Sequence, residues 1–257
     1  MKLNNINIKE NIYGHKKKLI YILTEIDRFI KKNDLAEIKI LDLGCGNGNA
    51  VTYYIAQNFP QAQITGIDIH QDSIVFAREN FKLPNLNFIC QDIFAENINS
   101  QYDIIILSDI LEHFANPEKL LNLINNQLTN QGVAIVAIPN GYGPYELERK
   151  FCKYTGIEYI LNKIFYLKSK LLSKKQNIPY NSESGHLYFF TWQDFNSKAD
   201  KYNLKVINFR KGTFIGSTLS GLMFGRVSFL NELNSKISDY LPKYFCGSWY
   251  FTLKKYK

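Results

Sequence analysis

Five short apolar runs, separated by stretches with helical periodicity, constrain this chain more than any other feature. The runs are "IKILDL" (38–43), "QITGIDI" (63–69), "LNFICQDI" (86–93), "YDIIILS" (102–108) and "GVAIVAIP" (132–139). Between them, "NAVTYYIAQNF", "QDSIVFAREN" and "NPEKLLNLINNQLTNQG" repeat apolar residues every three to four positions, the last opening at Asn116-Pro117 and ending at Gly132. Strands that alternate with helices build βαβ units, and hence a parallel sheet. Two later runs extend the series: "LKVINFR" (204–210), preceded by the helical "TWQDFNSKADKYN", and "GSWYFTLKK" (247–255). The expectation is α/β, with seven strands.

A sheet of that size takes up most of 257 residues, and a 46% hydrophobic composition suffices for one core. Residues 1–257 are therefore read as a single domain. Residues 1–35 carry a leading amphipathic helix, with Leu19, Ile22, Leu23, Ile26, Phe29 and Ile30 on one stripe and lysines at both ends. Two insertions exceed what a minimal sheet needs: the basic, tyrosine-rich 141–190 and the segment 211–246. Long connections of this kind serve as lids or binding loops. The four cysteines, Cys45, Cys90, Cys152 and Cys246, show no C-x-x-C spacing, which reads as a reducing compartment and no zinc knuckle. "MKLNNINIKEN" lacks an apolar targeting region and no stretch approaches a membrane-spanning length, so a cytoplasmic protein is expected. The formal charge of +8 is spread along the chain and reads as a solvated basic surface.

The loop after the first strand is "LGCGNGNA". Gly44, Gly46 and Gly48 present no Cβ, so a ligand can approach the backbone closely, and the next helix offers its N-terminal N–H groups. The spacing G-x-G-x-G departs from both the dinucleotide fingerprint and the phosphate loop. Asp42, two residues ahead, favours a ligand with a cationic or amino-bearing end. Asp68 closes the second strand, where it can accept from ribose hydroxyls, and Asp92 follows the third, where it can accept from an adenine amino group.

These motifs resemble those of class I S-adenosylmethionine-dependent methyltransferases: "LDLGCGNG", "GIDI", "CQDI" and "YDIIILSDILEHF" stand in the order of that family's first four. The resemblance covers residues 36–140 and, through "HLYFFTWQDF" and the last strands, most of the rest. It implies a Rossmann-like, doubly wound seven-stranded sheet, mostly parallel with an antiparallel last strand. It also implies that Asp42, Gly44, Gly46 and Gly48 hold the methionine part of S-adenosyl-L-methionine, with Cys45 and Ser108 among the donor-binding positions. Asp68 would hold the ribose, Ile69 and Ile93 the adenine faces, and Asp92 the adenine amino group.

For an oxygen acceptor, something must take or acidify a proton. In "SDILEHF", Asp109, Glu112 and His113 stand at i, i+3 and i+4, so a helical turn would gather them beside the donor. The stretch resembles the E-x-x-E-H run of metal-assisted O-methyltransferases of ubiquinone biosynthesis and of small-RNA 3′ ends, with Asp109 in place of the first Glu. The resemblance extends to His186 in "ESGHLYFFTWQDF". It implies a divalent metal (Mg, Mn or Zn) held by Asp109, Glu112, His113 and His186; the alternative keeps His113 or His186 as a metal-free base. The chain does not resemble DNA and protein amide N-methyltransferases, which share an Asp/Asn-Pro-Pro-Tyr run after the fourth strand where this sequence has "LSDIL", and the difference implies that amide-type N-methylation of nucleobases is a poor fit. In the lid, Tyr142, Tyr145 and Glu146 are substrate-facing candidates, and residues 157–175 read as a lid helix or as an element making peripheral membrane contact. The reading is O-methylation of a small molecule, sugar or lipid-linked metabolite. RNA 2′-O-methylation is the enzymatic alternative, weakened because no RNA-binding module is recognisable. A non-catalytic binding or scaffold subunit is the other.

Overall fold

In the computed structural model the apolar runs form β1 Ile38–Leu43, β2 Ala62–Asp68, β3 Leu86–Cys90, β4 Tyr102–Ser108, β5 Leu128–Pro139, β6 Leu204–Lys211 and β7 Ser248–Lys255. Residues 8–33, 35, 37–95, 101–157, 159–160, 163, 178–179 and 185–256 are described. The strands hydrogen-bond in the order β3-β2-β1-β4-β5-β7-β6. Pairings from β3 through β5 are parallel, and β7 runs antiparallel to both β5 and β6. The order reverses between β1 and β4, which opens a crevice beyond their carboxyl ends where ligands bind in doubly wound sheets.

Helices cover both faces: α1 His15–Asn33, α2 Thr52–Asn58, α3 Gln71–Asn80, α4 Glu118–Gln127, α5 Pro144–Tyr154, α6 Trp192–Lys201, α7 Thr218–Phe224 and α8 Ser228–Tyr240. Alternation along each strand splits the core in two. Ile40, Ile104, Ile106 and Ile135 face α1 and α2, whereas Leu41, Ile105, Leu107 and Val136 face the layer of α4 and α6. Phe195 and Phe251 stack at 4.3 Å in that second layer, with Trp192 against the same ring at 5.3 Å.

Two sequence boundaries are corrected. The helix expected to run to Gly132 ends at Gln127, because Leu128 is fully buried and pairs with Tyr102, so extended backbone satisfies it better than another helical turn. The third strand stops at Cys90 rather than continuing to Ile93; there the chain turns, with Asp92 Oδ1 accepting from Phe94 N at 3.0 Å. The helix read over 157–175 lies mostly outside the described residues. No described helix is long and apolar enough to cross a membrane.

The segment 211–246 forms α7 and α8. Helix α8 is inverted: it buries Asn231, Asn234, Ser235 and Ser238 and exposes Phe229, Leu233, Ile237 and Tyr240. Its buried amides hold the chain ahead of α1, with Asn234 Nδ2 donating to Ile12 O at 3.0 Å and Asn231 Nδ2 to Glu10 O at 3.4 Å. Lys17, which the sequence placed at the basic end of α1, is buried; its three Nζ donors are shared among Gly212 O, Ser235 O, Ser238 Oγ and Asp239 Oδ1, all within 2.9 Å. Through these bonds the second insertion fixes the start of α1 over the crevice.

Candidate active site

The glycine loop leaves β1 at the reversal point. Gly44, Gly46 and Gly48 all have positive φ, +69°, +55° and +73°, a region that costs other residues about 1–2 kcal/mol. A Cβ on Gly44 would lie 2.2 Å from Ile110 Cδ1 and one on Gly48 2.6 Å from Phe88 Cζ, whereas one on Gly46 would meet nothing within 4 Å. Gly44 and Gly48 are thus demanded by packing as well as by conformation, and Gly46 borders open space. The backbone N–H groups of Gly44 and Cys45 are spent on Ile67 O.

Asp68 braces this loop: Oδ2 accepts from Gly46 N and Oδ1 from His70 N, each at 2.8 Å. Each carboxylate oxygen retains a lone pair for a hydroxyl. Ile69 projects from the same strand end with 64% of its surface exposed, while Asp92 is exposed at the end of β3. Ile93, expected on an adenine face, is instead packed into the core, and the Cys45 thiol sits among Ile74, Ala77 and Phe88 rather than toward the loop's open side. Asp42 is buried beneath the loop and accepts from Thr52 Oγ1 at 2.7 Å; burial first, then the Asp68 charge, push its pKa up to about 7. An adenosine donor with an amino-bearing end fits this arrangement, with open space at Gly46, paired acceptors on Asp68 and a carboxyl at Asp42.

On the far side of the reversal, β4 ends at Ser108 and the chain enters a single 3₁₀ turn, Leu111–His113. Asp109 lies outside that turn with φ +58°, so the regular helical turn expected over Asp109, Glu112 and His113 does not form. Its carboxylate pairs with Lys18 of α1. Glu112 points inward, with burial and the Asp109 charge raising its pKa well above the usual carboxylate range and Oε2 left without a partner. Its carbonyl accepts from both Leu187 N and Tyr188 N at 2.8 and 3.0 Å, which draws His186 to the same spot.

The two histidine rings meet edge to face at 5.2 Å. His113 Nδ1 lies 3.1 Å from Gly185 O and His186 Nδ1 2.5 Å from Glu146 Oε1. Gly185 O and the Glu146 carboxylate are acceptors, so each Nδ1 donates, and in the neutral ring that tautomer keeps the lone pair on Nε2. Burial lowers the pKa of His113, favouring its neutral form. Glu146 is therefore the partner of a histidine rather than a substrate contact. Tyr145 stacks on His186 at 6.2 Å, and Tyr142 turns away with 60% exposure. One cavity of about 290 Å³ takes in Lys18, Asp109, Glu112, His113, Tyr145 and His186.

Glu112, His113 and His186 each bring a ligand atom within 4.8 Å of the others. With Glu112 Oε2 unpartnered and both Nε2 lone pairs free, these three fit a small divalent cation; Asp109, engaged by Lys18, is not part of the set. The sequence did not reveal His15 and Lys18, which also line the cavity. Lys18 and Asp109 are 91 positions apart, and a lysine at the start of an amphipathic helix carries no local sign of an inward role.

Known proteins match the fold. The chain belongs to the methyltransferase-domain family, whose model matches residues 34–188, and within it to the class I S-adenosylmethionine-dependent type. It resembles a solved S-adenosylmethionine-dependent methyltransferase from Clostridium acetobutylicum (TM-score 0.57, 16% identity, 100% of this chain and 96% of that one). Magnesium protoporphyrin IX methyltransferase from Synechocystis, solved with bound SAH, matches with a TM-score of 0.58 at 14% identity, over 95% and 84% of the two chains. A ubiquinone biosynthesis O-methyltransferase of Rickettsia canadensis is 33% identical over 128 residues, 48% of this chain and 51% of the relative. A malonyl-[acyl-carrier protein] O-methyltransferase of Bacillus cereus is 28% identical over 145 residues, 54% of each. The chain thus spans about half the length of these curated relatives.

Proposed function

We propose that this chain transfers a methyl group from S-adenosyl-L-methionine to an oxygen of a small molecule, sugar or lipid-linked metabolite held in the cavity beside β4. The observation that carries this reading is His186: its Nδ1–H is taken by buried Glu146, so in the neutral ring Nε2 is left as an acceptor, and the ring lines the cavity that Asp109, just past the end of β4, also lines. Bound S-adenosyl-L-methionine supplies an electrophilic methyl group. The chain's part is to hold acceptor and donor in line and to take the acceptor's proton at His186 Nε2. Neutral His113, with Nδ1 on Gly185 O, stands ready for a second contact with the acceptor. Relatives named as O-methyltransferases support oxygen as the acceptor atom.

A second reading rests on the unpartnered Oε2 of Glu112: a divalent cation held by Glu112, His113 and His186 would acidify the acceptor hydroxyl in place of a base. Methyl transfer to a panel of phenols, catechols and hydroxy acids, run with and without chelator, tests both. Turnover that survives chelation and is lost in His186→Ala supports the base. Turnover lost on chelation and restored by Mg²⁺, Mn²⁺ or Zn²⁺ supports the cation. No transfer from S-adenosyl-L-methionine to any oxygen acceptor counts against the function.

A further inference from the structure

His186 belongs to two cavities. On its other side is a space of about 450 Å³ lined by Arg149, Lys150, Lys153, Gly185, His186 and Phe189. Three of these six are cations, all from α5, and no acid is among the described lining residues. Arg149 and Lys150 lie over the Phe189 ring at 5.9 and 4.5 Å, which holds both heads at the cavity. Among the described residues Arg149 gives only its Nε–H, to Glu146, so toward them its terminal amino groups keep their donors. The acids of α5 point elsewhere: Glu146 is buried against His186, and Glu148 accepts from Ser220 N of α7 at 2.7 Å. Like charges gathered in a concave space with an aromatic floor favour an anion, and a planar guanidinium favours an oxyanion that it can grip at two points.

We propose that Arg149, Lys150 and Lys153 form an anion subsite for a phosphate group carried by the acceptor, one histidine away from the methyl-accepting oxygen. The proposal rests on the methyltransferase reading and narrows its substrate class to phosphorylated small molecules. Glu146 ties the subsite to the chemistry, since Oε2 takes Arg149 Nε at 3.1 Å and Oε1 takes His186 Nδ1 at 2.5 Å. A phosphate drawing on Arg149 therefore acts on the carboxylate that orients the ring.

The test is a calorimetric titration of inorganic pyrophosphate into the full chain saturated with S-adenosylhomocysteine, at about 0.15 M salt so that diffuse attraction is screened. The comparison is a Lys150→Gln/Lys153→Gln double variant. The expected result is saturable binding that weakens at least about tenfold in the variant, as loss of two charge-assisted contacts requires, while affinity for S-adenosylhomocysteine is the same in both. Protein that binds S-adenosylhomocysteine but not pyrophosphate overturns the subsite. Failure to bind S-adenosylhomocysteine overturns the methyltransferase reading itself. Single-stranded RNA and phosphatidylglycerol vesicles form two further arms. If either binds through the same lysines and pyrophosphate does not compete, the surface belongs to a polymer or a membrane and the small-molecule proposal fails.

Discussion

Glu146 and His186 share a hydrogen bond of 2.5 Å, with the carboxylate fully buried and the ring at the cavity wall. A histidine so held keeps one tautomer and one orientation, which is what a proton acceptor in an enclosed site requires.

Replacing Glu146 by Gln removes the charge and leaves the shape. The expected outcome is a fall of at least about tenfold in methyl transfer, against about 10²–10⁴ for His186→Ala. Affinity for S-adenosylhomocysteine should be unchanged in both. Proton NMR checks the cause: a downfield Nδ1–H resonance present in the native chain should vanish in Glu146→Gln. Equal turnover in that variant would reduce the contact to packing.

Asp42 gives a pH signature. Folding lifts its pKa from an ordinary aspartate value of 3.8 to about 7, so between those values the folded chain holds a proton that the unfolded chain has released. Stability should therefore fall as pH rises from about 4 to about 7, by up to about 4 kcal/mol, and level off above. Urea unfolding of the native chain and of Asp42→Asn across this window is the check. The variant should lose that component of the slope. A cationic donor favours ionised Asp42, so donor affinity should climb toward pH 7 in the native chain and stay flat in Asp42→Asn.

Gly44 is tested by a pair of changes. Gly44→Ala puts a methyl 2.2 Å from Ile110 Cδ1 at a φ of +69°, and should cost about 2–4 kcal/mol. Ile110→Ala makes room for that methyl. The double variant should be more stable than the sum of the singles predicts, by about 1 kcal/mol or more, as judged by chemical denaturation. Strict additivity would mean that the clash is relieved some other way.

The start of α1 depends on Lys17, whose four buried or half-buried acceptors belong to the β6–α7 connection and α8. Lys17→Met removes the charged partner of Asp239 Oδ1 and leaves Gly212 O and Ser235 O to Ser238 Oγ, and should cost roughly 2–3 kcal/mol. Hydrogen exchange should rise in α1 and α8 while β1 and β4 stay protected, because the second insertion is what clamps the helix that carries Lys18.

The sheet was legible because its central strands β1, β4 and β5 are apolar runs mostly buried on both faces, a pattern that survives without knowledge of contacts. Gly44, Gly48 and Asp68 were legible because backbone geometry and strand ends fix their surroundings locally. Lys18, Glu146 and the inverted α8 were less so. Glu146 was singled out as facing substrate, yet its partner lies 40 residues away. The polar stripe of α8 reads as a solvent face until the chain it holds is known. A family position assigned Ile93 and Cys45 to the ligand, and the structure packs their side chains in the core, a burial that the motifs alone do not reveal.

We propose that the loop between β1 and α2 holds the methyl donor. Calorimetric titration of S-adenosylhomocysteine into the native chain and into Gly46→Val tests it most directly. The site geometry predicts saturable binding with one molecule per chain, abolished by a branched residue at a φ of +55° beside open space. A native chain that fails to bind, or a Gly46→Val variant that binds as tightly, would contradict it.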